Sequence, residues 1–206
     1  MSCPLLPTYN DERWATITTQ AEEDCVEWIG LNQPSLSSLN KLLDIGIGTS
    51  HCYKVLHSFF TEIHGITVMD NEIAQAIDMQ YLEGIYRVRK ANKHDTWDFV
   101  QQVDANYAVI IDVNLKMFTC CELHWLDYFR TLTYLLEPGG VIVSHTAGFG
   151  QYDSPVYKAL TGKPVAIMGE ALTLIELTQL AARHELSMRM YPSPRVQDHS
   201  IVVIRK

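Results

Sequence analysis

Positive charge is scarce in this chain: 16 lysines and arginines stand against 24 aspartates and glutamates over 206 residues, a formal net charge of −8. Nucleic-acid binders normally display a basic patch or stripe. The single basic cluster, Arg87, Arg89, Lys90 and Lys93, alternates along a short segment as a solvated face does. No polyanionic partner is expected. No apolar run is long enough to span a bilayer, and Met1-Ser-Cys-Pro-Leu-Leu-Pro7 lacks the basic lead and apolar core of a secretory leader. Cysteine is sparse and unpaired. Cys3, Cys25, Cys52, Cys120 and Cys121 show neither an even disulfide framework nor two C-x-x-C pairs, so reduced thiols in a cytoplasm are expected, with Cys120 and Cys121 read as small apolar helix residues. Internal repeats are absent too.

What the chain does have is apolar content, 47%, enough for a substantial core in one compact domain. One domain over 1–206 is expected, with 1–38 as an N-terminal helical cap. Trp14, Ile17, Ala21, Cys25 and Ile29 recur at helical spacing within Asp11 to Leu31. Strands are expected from Lys41, at Ile66 to Asp70, Ile85 to Ala91, Tyr107 to Asp112, Val141 to Ser144, Leu186 to Tyr191 and His199 to Ile204. Helices alternate with them, at His51 to Ile63, Asn71 to Leu82, Asp95 to Val103, His124 to Leu136 and Thr173 to His184. Such alternation implies an α/β fold, doubly wound on a mostly parallel seven-stranded sheet, and the last two strands, joined by a Pro-Ser-Pro loop, predict an antiparallel C-terminal hairpin. Ligands bind at the carboxyl ends of strands in such sheets.

The most informative stretch is Lys41-Leu-Leu-Asp-Ile-Gly-Ile-Gly-Thr-Ser50, an apolar strand running into a glycine turn whose backbone admits a ligand closely. Asp70 follows Gly46 near the spacing of about 20 residues at which a carboxylate grips a ribose. A dinucleotide fingerprint wants a small third residue where His51 stands, which disfavours a nicotinamide oxidoreductase. Ser50 is small and falls where a different pattern, acidic-x-Gly-x-Gly-x-Gly, has its last glycine, and Asp44 opens that pattern.

On these residues the chain resembles the class I S-adenosylmethionine-dependent methyltransferase superfamily, with its Rossmann-like fold. Asp44 to Ser50 is similar to the first motif and Val68-Met-Asp70 to the second. His94 to Phe99 is similar to the third, Tyr107 to Asp112 to the fourth, and Leu135 to Val143 to the late turn and strand. The resemblance implies S-adenosyl-L-methionine as cofactor. Gly46 and Gly48, with Asp44, would receive its amino acid part, Asp70 the ribose, and Asp95 with Thr96 the adenine; Ile47, Asn71 and Asp112 are further cofactor-binding candidates, Asp112 and Asn114 also bordering the substrate side of the cleft. His145 is the candidate general base, with Asp112 beside it, and His124 is a weaker candidate. Tyr9, Trp14 and Tyr152 are candidate lid aromatics, and the glycine-rich segment Thr146 to Glu170 a candidate mobile cover.

A narrower resemblance is to the metal-dependent catechol-type O-methyltransferases, but His145-Thr146 stands where they carry Asp-Asn, and Lys116 is one residue late. Hard cations prefer oxygen ligands, so no required metal is expected. Polyamine synthases, which transfer aminopropyl groups, share the run from Asp95 to Val143 but not their acidic catalytic segment. The Asn/Asp-Pro-Pro-aromatic motif of base methylases is missing. The expected activity is methyl transfer to an oxygen or nitrogen of a small molecule. A non-catalytic S-adenosylmethionine-binding or partner-scaffold protein of the same fold, or a polyamine synthase-like aminopropyl transferase, stands as the alternative, and a homo-oligomer is left open.

Overall fold

The computed structural model describes residues 18–36, 38–93, 95–116, 121–149 and 171–206. Five parallel strands come first: β1 Lys41–Ile45, β2 Glu62–Thr67, β3 Tyr86–Lys90, β4 Tyr107–Ile111 and β5 Leu136–His145. They are followed by β6 Ser187–Pro192 and β7 Ser200–Arg205, and the sheet order is β3-β2-β1-β4-β5-β7-β6. β7 lies antiparallel to both β5 and β6, the expected terminal hairpin. Helices α1 Gln20–Asn32, α2 His51–Leu56, α3 Asp70–Glu83, α4 Thr96–Gln102, α5 Glu122–Leu135 and α6 Leu174–Arg183 complete the alternation. Among the described residues no helix is long and apolar enough to cross a membrane.

Side chains of successive strand residues leave on opposite faces, and this divides the core. Leu43, Ile110, Ile142 and Val202 pack against Phe99 of α4, Trp125 and Phe129 of α5 and Leu177 of α6. Leu42, Val109, Val141 and Val203 pack against Cys25 and Ile29 of α1 and Cys52 and Leu56 of α2. β4 is buried at every residue, as a central parallel strand covered on both sides must be. The order of strands reverses between β1 and β4, the switch point beside which the ligand crevice of such sheets lies, at the carboxyl ends.

Three expectations shift. α2 ends at Leu56 rather than Ile63, because Thr61 and Glu62 turn back to bond the carbonyl of Asn40 and enter β2. β2 therefore runs four residues ahead of its expected start and stops at Thr67. His64 and Gly65 obscured it: a polar and an unsubstituted residue interrupt the apolar run, yet His64 is buried against the Tyr107 hydroxyl at 2.7 Å. β5 begins at Leu136, directly after α5, and a register irregularity opposite Tyr107 and Val109 absorbs Pro138 and Gly139. α1 begins at Gln20; Tyr9, Trp14 and Ile17 of the expected helix and lid, together with His94, Cys120, Tyr152 and the span 151–170 of the expected cover, lie outside the described residues.

Candidate active site

β1 delivers the chain into a turn held in left-handed backbone, with φ of 85° at Gly46, 47° at Gly48 and 57° at Ser50. Glycine reaches that region without cost, and a side chain there needs compensation. Ser50 finds it in a buried hydrogen bond, its Oγ accepting from the Tyr86 hydroxyl at 3.1 Å. Ile47, between the glycines, is buried against the second core and lies opposite Gly65, where an added methyl would come within 2.7 Å of it. The turn is thus pinned from below by a side chain while its backbone faces the crevice.

Three buried carboxyls gather at this turn. Asp44, one residue before the end of β1, has Oδ2 lacking a hydrogen-bond partner among the described residues, and burial, reinforced by Glu72 and Asp112, raises its pKa to about 7. Glu72 of α3 accepts from the Gly48 amide and, at 2.6 Å, from the Thr67 hydroxyl. Glu22 of α1 closes a capping box: Thr19 accepts from the Glu22 amide at 3.2 Å, and the Glu22 carboxyl takes the Thr19 amide. Its Oε1 is left without a partner among the described residues, and burial, then Asp44, push its pKa up to about 9.

Neither Glu22 nor Glu72 is among the residues expected at this turn from the sequence. Glu22 belongs to a helix whose register on the sheet only the fold supplies; the local signal it carries, Thr19-x-x-Glu22, is the spacing of a capping box. The carboxylate of Asp70, expected on the ribose, is 73% exposed and pairs with Lys90 of the edge strand β3 at 2.7 Å. Asn71 Oδ1 accepts from the Glu72 amide. β2 ends before Asp70, so the first turn of α3 carries Asp70 outward and Glu72 inward, two residues apart on a helix. Asp95 caps α4 by accepting from Asp98 at 3.2 Å, while the buried hydroxyl oxygen of its neighbour Thr96 has no partner among the described residues.

Asp112 sits just past β4 and is 1% exposed. Lys93 Nζ donates to its two oxygens at 3.0 and 2.8 Å and to the Asn114 carbonyl at 2.5 Å. The Tyr128 hydroxyl donates to it at 2.6 Å and the Asn114 amide at 3.0 Å. Burial lowers the Lys93 pKa, and Asp112 opposes that.

No family model matches the chain, and no curated protein sequence does. Solved structures do. A Nostoc punctiforme protein provisionally described as an O-methyltransferase superimposes with a TM-score of 0.67 at 15% identity over 95% of this chain, which spans 59% of that protein's length. The N-methyltransferase NodS of Bradyrhizobium japonicum, in complex with S-adenosyl-L-homocysteine, gives 0.64 at 14% identity over 97% of this chain and 94% of NodS. An S-adenosylmethionine-dependent methyltransferase from Clostridium acetobutylicum gives 0.61 at 11% identity, covering 90% of each chain. This is the class I S-adenosylmethionine-dependent methyltransferase fold.

Within the methyltransferase fold, His145, the expected base, is enclosed. It ends β5 and is 0% exposed. Its Nδ1 accepts from the Ala147 amide at 3.1 Å, and its ring stacks on His199 with centroids 5.9 Å apart. Nε2 faces Asp24 of α1 at 3.7 Å, longer than a hydrogen bond. Burial, only partly opposed by Asp24, takes its pKa down to about 4. The imidazole is thus enclosed, with Nδ1 engaged and Nε2 without a hydrogen-bond partner among the described residues. Asp24 itself accepts from Ser193 and, at 2.6 Å, from Arg195. Burial raises its pKa, but those hydrogen bonds outweigh it and leave the carboxylate below its ordinary value. Cys121 is an exposed N-cap residue of α5 rather than part of its apolar face, and His124 lies in that helix's first turn.

Thr146–Gly148 forms a short 3-10 turn after β5. A methyl group on Gly148 would lie 1.7 Å from the Val113 carbonyl oxygen, inside the loop that follows β4. Gly148→Ala is therefore expected to lower stability by about 1 to 3 kcal/mol or more, as overpacking against backbone does; thermal denaturation indistinguishable from the parent would mean the two loops do not meet. At the opposite end of the sheet, Glu62, His64 and Asp104 place ligand-type atoms within 4.8 Å of one another. The ammonium of Lys41 already lies there, 3.2 Å from Asp104 and 3.8 Å from Glu62.

Proposed function

We propose that the protein binds S-adenosyl-L-methionine at the β1 turn and transfers its methyl group to an oxygen or nitrogen of a small molecule. The observation that supports this most is the left-handed turn Gly46-Ile47-Gly48 bordered by buried, under-bonded acids, a cradle suited to a cationic, amino-bearing nucleoside. In this reading main-chain groups at Gly46 and Gly48 and the Asp44 carboxyl receive the amino acid part. Glu72 takes the role first given to Asp70, holding the ribose hydroxyls beside Asn71, and Thr96 offers its hydroxyl to the adenine. When bound, the sulfonium supplies an electrophilic methyl group, and this chain's residues align an attacking atom with it.

Small-molecule acceptors fit the acidic surface charge better than polyanions. Among the described residues neither Asp112 nor His145 is free to remove a proton. Catalysis in this reading rests on alignment, with an acceptor whose nucleophile is unprotonated at working pH. The same two observations favour a second reading, a cofactor-binding protein without turnover. Release of S-adenosylhomocysteine across a panel of amines, phenols and carboxylates tests them: product with any acceptor supports transfer, and tight cofactor binding with no product throughout supports the second.

Glu72→Gln and Asp70→Ala separate the two acids. Loss of a charged hydrogen-bond partner is worth about 1.5 to 3 kcal/mol, so Glu72→Gln should weaken S-adenosylhomocysteine by roughly tenfold or more in calorimetry. Asp70→Ala should change it less than twofold; the reverse order returns the ribose to Asp70.

A further inference from the structure

Burying a carboxyl without a partner is expensive, and this fold buries three around one turn with no lysine or arginine bonded to any of them among the described residues. The capping box explains one oxygen of Glu22 and the Thr67 and Gly48 bonds explain Glu72. They leave Glu22 Oε1 and Asp44 Oδ2, both in residues more than nine-tenths buried and near enough to repel one another, without partners among the described residues. Two orphaned acceptors beside a glycine backbone are complementary to a donor that carries several N–H groups and positive charge.

Resting on the cofactor reading above, we infer that Glu22 of α1 is a cofactor-binding residue: with Asp44 it holds the α-ammonium of the amino acid part and gives up a proton to solvent as the ammonium arrives. α1 thereby completes the site rather than merely covering it, and cofactor binding is coupled to the docking of that helix. Its placement is built from both ends. Thr18 meets Thr49 of the turn at 2.6 Å, and Arg195 bonds Asp24 and Glu27 at 2.6 and 2.5 Å.

The proton comes from the surroundings of Glu22. Asp44 from β1, Glu72 from α3 and Glu23 from its own helix all oppose its ionisation. Asp44 in turn feels Glu72 and Asp112, the last already neutralised by Lys93. The remaining titratable neighbours, Cys25, Cys52 and Tyr86, are buried and held in their neutral forms. At neutral pH the ligand-free site therefore keeps a proton that a cation displaces. No covalent bond changes: Glu22 passes from carboxylic acid to carboxylate, and its proton goes to the buffer.

Calorimetry at pH 7 in buffers of different ionisation enthalpy reads that proton directly. S-adenosylhomocysteine, which carries the ammonium, should release about one proton on binding; methylthioadenosine, the same nucleoside without the amino acid, should release none. Glu22→Gln keeps the capping box, because glutamine serves at that position. It should abolish most of the release and weaken S-adenosylhomocysteine by roughly 10- to 100-fold while leaving methylthioadenosine unchanged. If the parent binds S-adenosylhomocysteine without releasing a proton, or Glu22→Gln binds it equally well, the inference is overturned and the cofactor reading stands. Binding of neither nucleoside overturns both.

Discussion

Lys93→Met should cost the protein about 3 to 5 kcal/mol, the penalty of breaking a buried ion pair from one side. The ammonium is 12% exposed and its carboxylate partner 1%, so water cannot take over when the charge is removed. All three ammonium hydrogens are engaged, by the two oxygens of Asp112 and the carbonyl of Asn114. Methionine keeps the length and the contact with the Tyr128 ring, over which the ammonium now lies at 5.3 Å from the centroid, but leaves Asp112, among the described residues, with the Tyr128 hydroxyl and the Asn114 amide. For a chain of this size the melting temperature should fall by roughly 10 °C or more. Adding Asp112→Asn should recover part of the loss, since the stranded charge disappears with it. A single variant that melts within about 2 °C of the parent would mean that Asp112 is reached by solvent.

The ligand-free protein should lose stability as the pH rises from about 6.5 to 9. Glu22, raised to about 9, and Asp44, raised to about 7, hold protons in the fold that the unfolded chain has already released. Stability therefore falls with pH at about 1.4 kcal/mol per pH unit for each such carboxyl. Below pH 6.5 the buried imidazoles oppose this. His145, lowered to about 4, and His64 and His51, also lowered by burial, bind fewer protons folded than unfolded, and their contribution is lost as pH falls. The two trends offset on the acid side; above pH 6.5 Glu22 and Asp44 carry most of the change, and their loss to pH 9 should reach about 3 kcal/mol. Melting temperatures across that range provide the measurement, with Glu22→Gln expected to flatten the slope. A parent curve that is level from pH 6.5 to 9 would show that Glu22 is ionised in the fold.

The buried strands and the glycine turn were legible because their signals are local. β4 is a run of five apolar residues, and a parallel strand covered on both faces needs little else to be recognised. Gly46, Gly48 and the small Ser50 sit where a left-handed turn requires them. β2 was misplaced because His64 and Gly65 are unremarkable as residues and become core only through Tyr107 and Ile47, far away in sequence. His145 was read as a base because it follows a strand at the carboxyl end of the sheet. That position is correct, but α1 and His199 enclose it, and no pattern within the strand reveals what packs on its end.

By itself the sequence determined the α/β alternation, the apolar strands and the turn that opens the crevice, because backbone conformation and periodic burial are properties of neighbouring residues. Which acids face that turn was decided only by tertiary structure. Asp70 and Glu72 differ by about 200° around one helix, and Glu22 reaches the turn from a different helix altogether. Whether a carboxyl is a solvated ion at the edge of β3 or an under-bonded acid inside the crevice depends on what packs around it.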